Sequence, residues 1–374
     1  MRLKLVYIDD VIKYLENTIS PFSRQLDWDN SGKQLYFGNE KISKIALALD
    51  PSAEAISGAI NEGCGLLITH HPLFFGPFKE IDFSKKQNKK IFDAINNKLS
   101  IVSFHTNFDA ADFNLSDYIA SLLGARKEGP LEVVGSECLY KFVVYVPEGF
   151  EDKIINTIDS VGAGTIGNYR KCTFLTHGTG TFEPQIGTNP FIGEIGKLEK
   201  VNEIKIETIV KQRVLKSLIN GVIHAHPYEE VAYDVYKLEN TIDYGIGTCC
   251  YFEKPIDFGE FIRLLKNVLQ ISNIRTNHTI NYQNKVNKFC VVAGSGANCW
   301  RKCKDLGFKL LISGDLKHHD AIDACENGIT IIDAGHFETE RVYMEYVDKL
   351  LSKQFDIEII TISENLPIKY LEEE

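Results

Sequence analysis

Short apolar runs of strand length alternate with segments of helical spacing at both ends of the chain, and no other sequence feature constrains the fold as much. In the N-terminal part we predict strands at 45–49, 66–68 and 100–104, with helices at 52–62, 91–98 and 114–123. In the C-terminal part we predict strands at 289–293, 310–312 and 329–332, with helices at 298–305, 320–326 and 339–351. Strands that alternate with helices form mainly parallel sheets with helices on their faces.

Two of the predicted strands lie in stretches that resemble each other. Residues 63–69 read Gly-Cys-Gly-Leu-Leu-Ile-Thr, and residues 307–313 read Gly-Phe-Lys-Leu-Leu-Ile-Ser. The turn residues Asp50 and Gly294 precede these two stretches at the same distance. We interpret this as an internal duplication, so the predicted fold class is α/β, built from duplicated α/β units with mainly parallel sheets. The alternative is that any two strand–helix–strand units of this length look alike.

A different pattern occupies residues 138–239. The predicted elements there are a strand at 140–146, a helix at 152–161, a strand at 203–209, a helix at 211–220 and a strand at 230–238. Their order fits a ferredoxin-like α+β sandwich, so we predict an inserted domain. Residues 1–137 and 240–374 are then the two halves of one core. The stretch 176–196 is Gly-rich and too long for a simple connection, which indicates a lid or a ligand-binding loop.

Composition limits the classes of function. Of the 374 residues, 44% are hydrophobic and 25% are charged, as in ordinary globular proteins. The formal net charge is −10, and phosphate binding needs a basic face, so we expect no nucleic-acid partner for the chain as a whole. No apolar run is long enough to span a bilayer, so we expect no membrane partner. Nine scattered cysteines without a CxxC pair indicate reduced thiols and a cytoplasmic protein.

Five side chains with metal-binding groups follow three of the predicted strands. In chain order they are His70, His71, Asp109, His336 and Glu340. Sites in open α/β sheets lie beyond the carboxyl ends of the strands, so we expect these side chains to meet at that edge. Imidazole and carboxylate groups suit zinc, iron or manganese, and five ligands suit two divalent ions that share a bridging carboxylate.

Each of these residues also has an ordinary structural alternative. The two histidines before Pro72 can simply cap a strand, and Asp109 can cap the next helix. His336 and Glu340 are spaced i, i+4, which is common on helix surfaces. The hypothesis of a metal site therefore depends on the convergence of all five side chains.

Other polar groups near the strand ends are candidates for catalysis or anion binding. His105 lies just before Asp109, and His319 follows the strand at 310–312; both are candidate catalytic residues for proton transfer. The alternative for His319 and its neighbour His318 is that they cap the following helix. The turn at 294–296, Gly-Ser-Gly, could cradle an anion with its backbone N–H groups.

Two further groupings are rival metal sites. His224 and His226 are spaced i, i+2, so they would share one face if they lie on a strand. Cys299 and Cys303 would lie one helical turn apart, but a zinc site there would need two more ligands. Buried reduced thiols are the alternative for the cysteines.

The chain resembles a known family, the GTP cyclohydrolase 1 type 2 homologues, also called Nif-three-like proteins. The motifs that carry the resemblance are Trp28-Asp29-Asn30-x-Gly32, Thr69-His70-His71-Pro72-Leu73-Phe74-Phe75, His105-Thr106-Asn107-Phe108-Asp109, Gly294-Ser295-Gly296, Ser313-Gly314-Asp315-x-x-x-His319-Asp320 and Asp333-Ala334-Gly335-His336-x-x-Thr339-Glu340. The segment 138–239 resembles the PII/CutA-like insert of the longer bacterial members. The stretches that match it include Gly164-Thr165-Ile166-Gly167-Asn168-Tyr169 and His226-Pro227-Tyr228-Glu229-Glu230.

The resemblance implies a Nif-three-like fold with a dinuclear metal site. It implies that His71, Asp109 and Glu340 hold one ion, and that His70, His336 and Glu340 hold the other. It also implies a toroidal homohexamer whose ring is capped by the insert. The family name suggests a GTP cyclohydrolase-like reaction without establishing it.

Three functions are compatible with these features. The first is a metal-dependent hydrolase that acts on a nucleotide or another small molecule with a phosphate or a ring. The second is a metal-dependent regulatory or ligand-binding protein without turnover, with the insert as sensor. The third is an interaction scaffold with structural metals. Structural zinc is usually closed by four protein ligands, whereas five ligands for two ions leave open positions, which favours chemistry.

Overall fold

The computed structural model describes residues 4–76, 80, 82, 84–167, 169–365 and 367–369. Two compact units make up the structure. The core unit comprises Met1–Val134 and Tyr244–Glu374, and the insert unit comprises Gly135–Asp243. Asn168, part of one insert motif, lies outside the described residues. Among the described helices, none is both long and apolar enough to cross a membrane.

The N-terminal part of the core unit alternates strands with helices. Its strands are β1 (Val6–Tyr7), β2 (Gly32–Leu35), β3 (Lys41–Ile42), β4 (Lys44–Ala48), β5 (Leu66–Thr69), β6 (Ser100–Ser103) and β7 (Arg126–Gly129). Its helices are α1 (Ile8–Thr18), α2 (Ala53–Asn61), α3 (Lys86–Asn96), α4 (Thr106–Asp109) and α5 (Leu115–Leu122). Asn114 and Asp117 begin α5 with a capping box, in which each side chain accepts from the other's backbone N–H.

The insert unit has the element order strand, helix, strand, strand, helix, strand. Its elements are β8 (Glu132–Pro147), α6 (Glu151–Ser160), β9 (Thr173–Phe182), β10 (Glu199–Lys211), α7 (Gln212–Ala225) and β11 (Tyr233–Ile246). The strands form one sheet in the order β11-β8-β10-β9, in which β10 pairs antiparallel with both β8 and β9. Apolar residues of α6 and α7, including Ile154 and Leu218, pack with Phe142 and Ile206 of the sheet to form the core of this unit.

The C-terminal part of the core unit repeats the alternation. Its elements are β12 (Thr248–Asp257), α8 (Phe258–Leu269), β13 (Arg275–Thr276), β14 (Lys285–Val291), α9 (Trp300–Asp305), β15 (Leu310–Ser313), α10 (His318–Glu326), β16 (Thr330–Asp333), α11 (His336–Glu340), α12 (Val342–Gln354) and β17 (Glu358–Thr361).

Two sheets form the framework of the core unit, and each contains three neighbouring parallel strands in chain order. One sheet has the order β17-β4-β5-β6-β2, in which β4, β5 and β6 are parallel and β17 is parallel to β4. The other has the order β13-β16-β15-β14-β12-β7, with β14, β15 and β16 parallel. The α/β class is confirmed. The first sheet is mainly parallel, and only β2 pairs antiparallel in it. The second sheet is mixed, because β7, β12 and β13 each pair antiparallel with a neighbour.

Alternate residues of the central strands point to opposite faces and enter different apolar clusters. In β5, Leu66 and Ile68 join the large central cluster, to which the second sheet contributes Leu310 and Ile312. Leu67, between them, joins a smaller cluster on the outer face. Side-chain alternation with a period of two explains this division, and both faces of the strand are buried. The strand ends are thereby held in fixed positions.

Several predicted elements differ from the structure. The predicted loop 176–196 is wrong in its first part, because Thr173–Phe182 forms β9 and pairs with β10 along its length. The single helix predicted at 339–351 is two helices, α11 and α12, which meet at Arg341. His224 lies in the last turn of α7 and His226 caps that helix, so the two histidines do not share a strand face.

Candidate metal centre

The turns after β5 and β6 are fixed by buried hydroxyl groups. Thr69 donates its hydroxyl to the carbonyl oxygen of His71 at 2.7 Å, and Ser103 donates to the same oxygen at 3.0 Å. The N–H of Phe104 donates to the carbonyl oxygen of Thr69 at 2.9 Å, which continues the pairing of the two strands. His70 is fully buried at this edge. The neighbouring strand ends therefore hold the histidine pair in place.

Four histidines share one mode of attachment at the edge of the sheets. Each has its Nδ1 at 2.7–2.8 Å from an oxygen: the Phe104 carbonyl for His70, Asp50 for His71, Asp29 for His105 and Asp315 for His336. An acceptor at Nδ1 fixes the ring and leaves Nε2 as the free ligand atom, as in many metal sites. The rings of His70, His71 and His105 have centroids 5.1–5.4 Å apart.

Glu340 lies at the centre of this group. Its Oε2 is 3.1 Å from Nε2 of His71 and 2.9 Å from Nε2 of His336, and its Oε1 is 3.7 Å from Nε2 of His70. The side chain is only 6% exposed. Gly294 lies against it with a φ of +67°, and a Cβ at this position would come within 2.0 Å of Oε1. Glycine is therefore required here both by backbone conformation and by space.

Asp109 completes the group from the end of α4. Its Oδ1 lies 4.0 Å from Nε2 of His70, and its side chain is 23% exposed. Burial raises the pKa of Asp109, although the nearby His70 and His105 oppose this shift. The structure thus brings all five predicted ligands and His105 together at the carboxyl ends of β5, β6 and β16.

The pKa values of the group are shifted in the directions that favour positively charged histidines around a negatively charged Glu340. Burial opposes the charged form of His71, but hydrogen bonds and charges from Asp50 and Glu340 outweigh burial and raise its pKa to about 10. The same balance, with Glu340 and Asp315 as partners, raises the pKa of His336 to about 9. Burial also opposes the charge of Glu340, yet its histidine partners lower its pKa well below the usual value.

The residues fit a bound cation. Within the described part of the chain, the buried Nε2 of His70 has no hydrogen-bond partner. Two sets of side chains could each hold a metal ion, with ligand atoms within 4.8 Å of one another: His70 with His71 and His105, and His71 with His336 and Glu340. Buried polar atoms without partners are costly, and a metal ion would satisfy them.

The distances group the histidines differently from the pairing that the resemblance implies. The Nε2 atoms of His71 and His336 both lie beside Oε2 of Glu340. The Nε2 atom of His70 lies 4.0 Å from Oδ1 of Asp109. The resemblance instead pairs His71 with Asp109, and His70 with His336. The division of the ligands between two ions therefore stays a prediction.

Several other predicted groups do not join the centre. His318 and His319 are exposed in the first turn of α10 and belong to neither metal-binding set. The N–H groups of Gly294 and Gly296 donate to Thr339 Oγ1 and Ser313 Oγ, both at 2.9 Å, so they are not available to cradle an anion. Cys303 is buried in an apolar cluster, which agrees with the alternative that the cysteines are buried reduced thiols.

Sequence reasoning missed the carboxylates that orient the histidines. Asp29 was part of a turn with no assigned role, yet its buried side chain also accepts from Ser31 and from both the hydroxyl and the N–H of Thr106. Asp50 and Asp315 follow strand ends, as the five predicted ligands do, and this shared position is the signal in the sequence that could have identified them. Their partners lie 21 residues away in the sequence, so spacing alone could not pair them.

Open space lies on two sides of the centre. A cavity of about 500 Å³ beside His71 is lined by residues that include Asp50, Lys90 and Glu364. A smaller cavity of about 170 Å³ lies beside His336. Phe337 lines both cavities. A small molecule can therefore reach the group of histidines from solvent.

Known proteins are similar in sequence to this chain over nearly its whole length. The chain is 34% identical over 367 residues to a GTP cyclohydrolase 1 type 2 homolog from Halalkalibacterium halodurans. The aligned region covers 96% of this chain and 98% of that protein. It is 32% identical over 375 residues to a protein of the same name from Bacillus subtilis, with 98% and 100% covered.

Solved structures agree with the sequence comparison. A Bacillus cereus protein described as related to NIF3 superposes with a TM-score of 0.79 and 32% identity, over 98% of this chain and all of that one. Staphylococcus aureus protein SA1388 has a TM-score of 0.66 over 98% of this chain and 99% of its own; at 23% identity it shows the fold alone. The family model of Duf34/NIF3 (NGG1p interacting factor 3) matches residues 6–367. The chain therefore belongs to the Duf34/NIF3 family.

Proposed function

We propose that the chain is a metal-dependent hydrolase with two divalent metal ions per chain, held by His70, His71, Asp109, His336 and Glu340. The observation that carries the proposal is the shared orientation of the histidines, whose Nδ1 atoms are bound and whose Nε2 atoms surround the buried Glu340. Zinc, iron and manganese suit this set of nitrogen and oxygen ligands. Bound divalent ions supply Lewis acidity, which lowers the pKa of water and polarises an oxygen of the substrate.

His105 is the residue that we assign to proton transfer. Asp29 holds its Nδ1 at 2.7 Å, so Nε2 is the atom that accepts and returns a proton. The buried carboxylate behind the ring fixes the orientation and the tautomer of the imidazole, as in other Asp–His pairs. Trp28 and Phe75 have their rings 5.9 Å and 5.8 Å from that of His105, and they limit the access of water to it. His319 is exposed on α10 and belongs to neither metal-binding set, so we assign proton transfer to His105 alone.

The substrate that we propose is a small molecule, with nucleotides, phosphoesters and cyclic amides as the classes to test. The two relatives from Halalkalibacterium halodurans and Bacillus subtilis are named GTP cyclohydrolase 1 type 2 homologs, which supports a GTP cyclohydrolase-like reaction as one member of that set. The test is a turnover panel on metal-loaded protein, with wild type compared with Asp109→Ala. Asp27→Ala, at an exposed carboxylate, is the matched control. Turnover that only Asp109→Ala abolishes supports a hydrolase; its absence across the panel favours a protein without turnover.

We also propose that the chain works as a homohexamer in the cytoplasm. Exposed apolar residues of the core unit, such as Phe92 and Ile95 on one face of α3, support an assembly that covers them. All nine cysteines are free, which supports a reducing compartment. Light scattering that gives a stable monomer at micromolar concentration would refute the hexamer.

The insert is proposed to be a PII/CutA-like domain of the ferredoxin-like type. Its strand–helix–strand–strand–helix–strand order and its sheet order β11-β8-β10-β9 support this assignment. A metal-dependent regulatory protein, with the insert as sensor, is the second candidate function. The observation that favours it is a cavity of about 320 Å³ within the insert unit.

A further inference from the structure

The cavity in the insert unit plays no part in the proposed metal chemistry. Its lining comes from β9, from the irregular segment that follows β9, from Glu203 on β10, and from residues 228–232. All of these residues belong to the insert unit. The volume of about 320 Å³ is in the range of small-molecule sites.

Aromatic rings form much of the wall. The ring of Tyr228 lies between Phe182 and Phe191, with centroid distances of 5.9 Å and 6.3 Å. Phe150 supports Phe191 from behind, edge to face at 5.7 Å. Phe191 is nevertheless 54% exposed, so part of its ring surface is open to a ligand. Such a wall binds apolar bodies, and its ring faces attract cations.

The charged groups of the lining all have the same sign. Glu203, Glu229 and Glu230 line the cavity, and none of the described lining residues is Lys, Arg or His. Glu203 lies across Gly180, where a Cβ would come within 2.0 Å of its Oε2, so glycine leaves room for the carboxylate. Burial and the charge of Glu203 raise the pKa of Tyr228 to about 12. The cavity therefore has a negative potential.

The cavity is held open by bonds within the insert unit. Glu229 accepts a hydrogen bond from the N–H of Asn189 at 3.0 Å, which fixes the segment after β9 to the residues that follow α7. Pro184 and Pro190 restrict the same segment. A preformed site loses less conformational entropy when it binds a ligand.

We propose that this cavity binds a small organic cation, in which a protonated amine is carried on an aromatic or other apolar body. The rings of Phe182, Phe191 and Tyr228 would contact the apolar body, and Glu203 would bind the ammonium group. Anionic ligands such as phosphates are disfavoured by the three carboxylates. The site is independent of the proposed metal centre, so its test does not depend on hydrolysis.

The test is isothermal titration calorimetry on the full-length protein with phenethylamine, which is protonated at neutral pH. Phenethyl alcohol and phenylacetate are the neutral and anionic probes of nearly the same shape. We expect saturable binding of the amine, with at least about tenfold weaker binding of the other two. Glu203→Gln should weaken binding of the amine about tenfold, and Glu239→Gln, at an exposed glutamate of β11, should leave it unchanged.

Two further variants keep the outcome interpretable. Phe191→Leu removes a half-exposed ring, so it should fold as wild type does and weaken binding several-fold through the lost cation–π contact. Glu340→Gln should bind the amine as wild type does, which separates this site from the metal centre. Absence of saturable binding at millimolar amine, or equal binding of phenethyl alcohol, would overturn the proposal.

Discussion

Glu340 and His336 lie one turn apart on the five-residue helix α11, with Oε2 of the carboxylate 2.9 Å from Nε2 of the imidazole. This helix starts directly after β16 and ends at Arg341, where α12 begins. The break lets α12 pack its apolar residues, such as Tyr343 and Val347, into the central cluster. The i, i+4 spacing thus brings both groups to the point where His70 and His71 arrive from the other sheet.

Gly294→Ala should abolish tight metal binding. The new Cβ would meet Oε1 of Glu340 at 2.0 Å and displace the carboxylate that contacts three histidines. Gly307→Ala is the matched control, because Gly307 also has a positive φ, of +80°, but nothing lies within 4 Å of its Cβ position. Both variants should lose roughly 1 kcal/mol of stability from backbone strain. Metal titration that finds equal affinity in both variants would argue against this role of Gly294.

Asp29→Asn should reduce turnover by about 10²- to 10³-fold in the proposed hydrolase, because an amide no longer holds the His105 ring in the tautomer that leaves Nε2 free to accept a proton. The five proposed ligands remain, so metal content should change little. Asp27→Asn, at the exposed carboxylate two residues earlier, is the control and should keep full activity. The measurement is kcat against pH, together with metal analysis of each variant. A fall in metal content without any change in kcat per bound metal would mean that Asp29 supports the ligands and not proton transfer.

The positions of the five proposed ligands could be predicted from the sequence, but those of the carboxylates behind them could not. His70, Asp109 and Glu340 each follow a short apolar strand, and strand ends in parallel sheets meet at one edge. Asp29 reaches His105 across 76 residues, through the conformation of a turn with no periodic pattern. Contacts of that kind depend on tertiary packing, which local sequence does not encode.

Strand β9 could not be recognised for a related reason. It reads Thr-Phe-Leu-Thr-His-Gly-Thr-Gly-Thr-Phe and lies at the edge of its sheet, with most of its residues exposed. Edge strands need no alternation of apolar and polar residues, and glycine weakens the strand signal further. Ten residues paired with β10 determine its conformation instead.

Deletion of residues 135–243 should leave a folded core that binds metal. Gly245 and the carbonyl of Glu132 approach so closely that a Cβ on Gly245 would come within 1.8 Å of that oxygen, so a short Gly/Ser linker can join the ends. None of the five proposed ligands lies in the removed segment. The checks are circular dichroism and metal content. A folded deletion variant that has lost all metal would show that the insert contributes ligands.

Stability of the insert unit should fall as the pH drops below about 6.5. Burial lowers the pKa of His226 below the ordinary value of about 6.5 for histidine. The neutral ring donates from Nε2 to the Tyr145 carbonyl, and its Nδ1 accepts from the N–H of Tyr228. The unfolded chain then binds a proton that the folded chain does not, which favours unfolding by up to about 1.4 kcal/mol per pH unit.

The corresponding measurement is hydrogen exchange of the insert unit between about pH 5 and 8. His226→Gln should flatten this pH dependence, because glutamine does not titrate in that range. His224→Gln, at the exposed histidine in the last turn of α7, should leave the dependence as it is in wild type. An identical slope in wild type and His226→Gln would exclude His226 as its origin.

Elemental analysis of reconstituted protein measures whether Glu340 and its surrounding histidines bind metal. Wild type loaded with zinc, iron or manganese and then freed of excess metal should retain about two ions per chain. Glu340→Gln should lose most of both, while Glu338→Gln, on the same helix, should retain them. Wild-type protein that retains none of these metals, or Glu340→Gln protein with its full metal content, would contradict metal binding by Glu340 and these histidines.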